Sequence, residues 1–126
     1  MDTAVLVKTD REGAWNLLEE LKRKDFSMSA AFWQYLSEDE TWRLFIATKL
    51  VDKEGSIAAY SRLQALINDM SPELAEEFSV MNISLIGPDA NQVNALRRRH
   101  GKIDFTRTRI RRFSLSPEEA YVYFLE

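Results

Sequence analysis

Between Ala30 and Val51 the apolar residues come in two runs, AAFWQYL and WRLFIATKLV, separated by the polar cluster Ser37-Glu38-Asp39-Glu40-Thr41. Aromatic and β-branched runs bounded by a polar cluster predict the two strands of a hairpin. In the second run the period of two puts Trp42, Leu44, Ile46 and Leu50 on one face and Arg43, Phe45, Ala47, Lys49 and Val51 on the other. Two registers bury aromatic residues equally well. Pairing Leu36 with Trp42 sets Phe32 opposite Ile46, whereas a loop one residue shorter sets Trp33 opposite Ile46 and Tyr35 opposite Leu44. A one-residue slip exchanges the faces, so both registers stay open. Either way both faces carry apolar bulk, which places this hairpin near the centre of a sheet with each face covered.

Ahead of the hairpin, Ala14, Leu17, Leu18 and Leu21 form a stripe at helical spacing, predicting a helix over Thr9–Lys24. Thr9 and Glu12 have the spacing of a capping box, and Lys22-Arg23-Lys24 suits a helix C-terminus. After it, Asp52-Lys53-Glu54-Gly55 reads as a turn. Ser56 then caps a helix to Met70 with the stripe Ile57, Tyr60, Leu63, Ile67 and Met70. Ser71-Pro72-Glu73 opens a short helical piece. In Val80–Ile86, Met81, Ile83 and Leu85 alternate with Asn82 and Ser84, as in a half-buried strand. Asp89 caps a helix to about Arg99 with Ala90, Val93 and Leu96 inward, and Gly101 stands where a C-cap glycine belongs. Asp104–Ser114 alternates as a fourth strand, with Phe105, Arg107, Arg109, Arg111 and Phe113 on one side. The ending Ser116-Pro117-Glu118-Glu119 starts like a helix, yet Ala120–Leu125 has strong β character. One helical turn followed by a terminal strand reconciles the two. The predicted fold is α+β: a single, largely antiparallel sheet of about five strands with three main helices packed on it.

Composition narrows the class. A chain of 126 residues, 45% of them hydrophobic, is expected to form one domain with a core that needs no staples. It has no cysteine, which removes disulfides, thiolate metal sites and thiol nucleophiles. The first residues have no basic segment ahead of an apolar core, so no targeting signal is expected. The longest charge-free run, Phe26 to Ser37, has 12 residues, short of the ~20 that a spanning helix needs. A soluble, cytoplasmic protein with no membrane partner is the expectation.

Charge changes the picture more. Arg97 to Arg112 holds eight basic residues and one acid, a net +7; the rest of the chain holds nine basic and nineteen acidic residues, a net −10. Within this segment Arg97, Arg98, Arg99, Lys102, Arg107, Arg109 and Arg111 make up the candidate interaction surface. Guanidinium forks suit phosphate oxygens, and Phe105 and Phe113 could stack bases as on single-strand-binding sheets. The same arginines could instead pair with the acidic remainder of the chain, with a second copy, or with an acidic protein partner.

The segments Ala30-Ala31-Phe32-Trp33, Trp42-Arg43-Leu44, Ile46-Ala47-Thr48, Leu50-Val51-Asp52, Gly55 and Ala59-Tyr60, with the close Glu119-Ala120-Tyr121-Val122-Tyr123, resemble a family of small stand-alone bacterial proteins of uncharacterised function. The resemblance covers about a third of the chain strongly and the arginine-rich segment poorly. It implies a terminal strand at Tyr121 and a bacterial, cytoplasmic setting. It carries no activity, cofactor or partner.

The remaining candidates have plainer readings. His100, the one histidine, would need a cleft and a neighbouring nucleophile to act as a general base, but it precedes Gly101 at a predicted helix end, where the dipole favours a cation. Glu38, Asp39 and Glu40 could offer oxygen ligands to a hard cation but lack the spacing of a calcium loop. Asp52, Lys53 and Glu54 form a second polar turn. Trp33, Tyr35, Trp42 and Phe45 fit a core as well as a pocket. Glycine-rich phosphate loops and nucleophile elbows are absent. The sequence therefore reads as a binding or accessory protein with no cofactor, metal site or catalytic residue assigned. The alternatives are a nucleic-acid-binding or processing protein using the same arginine face, and a small metal-dependent enzyme with acids near Asp52 and Glu118.

Overall fold

The computed structural model describes residues 8–36, 38, 40–70, 72, 83–103, 111–115 and 118–126, with the backbone alone at 8–11, 111–115 and 118–119. Its elements are α1 (Lys8–Arg23), β1 (Ala30–Leu36), β2 (Thr41–Ala47), α2 (Lys49–Glu54), α3 (Ser56–Asn68), β3 (Ile83–Ile86), α4 (Asn91–His100), β4 (Arg111–Leu115) and β5 (Glu118–Leu125). The predicted strand positions 80–82 and 104–110, and the helical piece after Ser71 apart from Pro72, lie outside the described residues.

The strands form one mixed sheet in the order β3-β2-β1-β5-β4. The β1–β2, β1–β5 and β4–β5 pairings are antiparallel, and β2–β3 is parallel. The α+β class is therefore as expected, while the parallel pair was not. That pair follows from the connection: α2 and α3 carry the chain back from the end of β2 to the start of β3, as a crossover must.

The hairpin takes neither register weighed from the sequence. Phe32 faces Phe45, Trp33 faces Leu44 and Tyr35 faces Trp42. The faces are those of the shorter-loop alternative, but the pairing is displaced by two residues. Its four-residue loop begins at 37 rather than 38, and Glu40 closes it at φ 51. Moving the loop by one residue on both strands keeps the parity of the faces, so the aromatics are sorted as before.

Both faces are covered, as the apolar bulk required. On one, Ala31, Trp33, Leu44, Ile46, Ile83, Leu85, Tyr121, Tyr123 and Phe124 pack with Ala14, Leu17, Leu18 and Leu21 of α1, Leu50 of α2, and Ala59, Leu63 and Ile67 of α3. On the other, Ala30, Phe32, Phe45, Ala47, Ala120, Val122 and Leu125 pack with Val93 and Leu96 of α4. The Phe32 and Phe45 rings stack there at 5.5 Å.

Local departures from the prediction have identifiable causes. β2 stops at Ala47 rather than running to Val51, because the buried Thr48 caps α2: its hydroxyl accepts from the Leu50 N–H at 3.2 Å. Asp52 to Glu54 are consequently helical, and α2 is a fourth helix where a turn was expected. Gly55, at φ 89, is the joint between α2 and α3, a conformation that suits glycine. Ile57, placed on the inward stripe of α3, is 86% exposed, and Ala59 takes the inward position. Glu118 and Glu119 belong to β5 instead of a helical turn, since they pair with Leu115 and Ser114.

α1 ends without a glycine. Asp25 adopts φ 59, Phe26 N donates to Leu21 O at 2.9 Å and Asp25 N donates to Lys22 O at 3.2 Å. This is the two-bond Schellman closure, with buried Phe26 and Leu21 as its apolar contact.

Candidate interaction surface

The basic surface is built by α4. Val93 and Leu96 are buried on the sheet, which fixes the helix by its apolar side. Three strand spacings separate β3 from β5, about 14 Å, and ten residues of helix span about 15 Å. α4 therefore crosses the strands: the chain leaves β3 through Gly87-Pro88 and, beyond the helix, reaches Ile103, which pairs with Leu125. Its last turn holds Arg97, Arg98, Arg99 and His100, and the three arginines are cations placed where the helix dipole is negative. Gly101 closes the helix at φ 65, as the sequence led us to expect, and its N–H reaches Arg97 O at 2.9 Å.

The structure divides the predicted surface. Arg97 is committed within the chain. Its Nε donates to Glu126 O at 2.9 Å, Nη1 to Asn94 Oδ1 at 2.9 Å and Nη2 to Pro88 O at 3.3 Å. This one guanidinium joins the loop before α4, the helix itself and the end of β5. Arg98, Arg99 and Lys102 are exposed, and Arg98 and Lys102 have no hydrogen-bond or ion-pair partner among the described residues. Arg111 enters β4 opposite Val122, whose side chain packs on the α4 face. Arg107 and Arg109 lie outside the described residues.

The acidic candidates are not brought together. Glu38 and Glu40 are exposed at the hairpin loop, and Asp39 between them lies outside the described residues. Asp52 and Glu54 are exposed on α2 at the opposite end of the strands. Among the described residues no group of three or more His, Cys, Asp and Glu is placed to hold a metal ion. His100 is half-buried at the helix end.

The aromatic candidates divide between the faces. Trp33 and Phe45 are buried on opposite sides. Tyr35 and Trp42 meet edge-on at 5.4 Å, and Trp42 reaches the Tyr121 ring at 5.3 Å.

Two contacts were missed from the sequence. Gly87 lies so close to Asp52 that a Cβ there would come within 2.8 Å of its Oδ1. Tyr60 Oη accepts from the Leu85 N–H at 2.9 Å, satisfying a donor on edge strand β3. No pattern in one sequence announces contacts between residues 25 or more positions apart.

Comparison with family models, with curated proteins and with solved structures finds no match for this chain. No helix among the described residues is long and apolar enough to cross a membrane.

Proposed function

We propose that this is a binding or accessory protein without catalysis of its own, which engages an acidic protein surface through the end of α4. Arg98, Arg99 and Lys102 are the contact residues. The observation that carries this reading is the contrast within one helix turn. Arg97 spends its donors on Glu126, Asn94 and Pro88, whereas Arg98 and Lys102 stand exposed with no partner among the described residues. Guanidinium and ammonium groups held this way recognise carboxylates through charge-assisted hydrogen bonds.

Fluorescence anisotropy tests it. A labelled polyglutamate peptide, a duplex DNA and a single-stranded RNA are titrated with wild-type protein and with the Arg98→Ala/Lys102→Ala variant, at low and near-physiological salt. Binding of the acidic peptide that is lost in the variant supports the reading. Tighter, steeply salt-dependent binding of either nucleic acid replaces it with a nucleic-acid role. Absence of binding to all three probes even at low salt contradicts it.

A further inference from the structure

We draw no further inference here: the strongest candidate, the surface patch at the β1–β2 loop where the half-buried Tyr35 and Trp42 rings lie beside the exposed Glu38 and Glu40, carries nothing, because nothing in the structure shows what covers it.

Discussion

Trp33 Nε1 donates to Tyr123 Oη at 3.0 Å, in a buried hydrogen bond between residues 90 positions apart. A bulge makes the meeting possible. Opposite the Ala31–Phe32 step β5 carries one extra residue, so Tyr123 and Phe124 both turn toward α1. The hydrogen bond thus joins the Ala-Ala-Phe-Trp run of β1 to the Ala-Tyr-Val-Tyr run of β5. Replacing Tyr123 by Phe leaves the indole N–H buried without this acceptor and should cost about 1–3 kcal/mol. Urea denaturation of Tyr123→Phe, Trp33→Phe and the double variant should show the double costing less than the two singles summed. Additive costs would mean that the bond contributes nothing.

The neighbours Arg97 and Arg98 should behave in opposite ways. Arg97→Ala removes donors to three acceptors and should destabilise by about 1–3 kcal/mol. Arg98→Ala should leave stability within about 0.5 kcal/mol and weaken binding of the acidic peptide. Thermal melts and anisotropy on the two variants separate a brace from a contact residue. Equal effects on stability would contradict the division.

Gly87 and Asp52 are coupled by space. A methyl group at Gly87 meets the Asp52 carboxylate, with Oδ2 at 3.1 Å and Cγ at 3.3 Å behind Oδ1. Since Asp52 is exposed and can swing away, Gly87→Ala should cost only about 1 kcal/mol. That cost should vanish when Asp52→Ala is made as well. A cost that persists in the double variant would place the strain in the backbone instead.

Asp25 closes α1 at φ 59, where a side chain carries a steric penalty that glycine lacks. Asp25→Gly should therefore raise stability by up to about 1 kcal/mol. Unchanged or lower stability in urea denaturation would show that the aspartate contributes more through its own side chain than it loses in strain.

These sites mark where sequence reasoning succeeded and where it ran out. Periodicity was enough for α1, for the inward face of β3, for Val93 and Leu96 of α4, and for the hairpin at the centre of the sheet. It failed where one polar residue outweighed the apolar pattern. Thr48 ended β2 by capping α2, although Leu50 reaches the same cluster either way. Ile57 fitted the α3 stripe by spacing, but it stands in the first turn, where the inward side belongs to Ala59. The end of α1 was legible from its basic last turn, whereas its closure through Asp25 was not, because the usual glycine is missing. For the interaction surface, the charge asymmetry was legible and its arrangement was not. Arg97 and Arg98 look alike in a row of three arginines, and only the fold returns Glu126 and Pro88 to the reach of one of them.

The most direct test of the docking surface is a 15N–1H correlation spectrum titrated with a polyglutamate peptide. The account predicts the largest amide shifts at Arg98 to Ile103, weakened by added salt and absent in Arg98→Ala/Lys102→Ala. Shifts centred on Glu38 to Trp42, or no shifts at low salt, would contradict it.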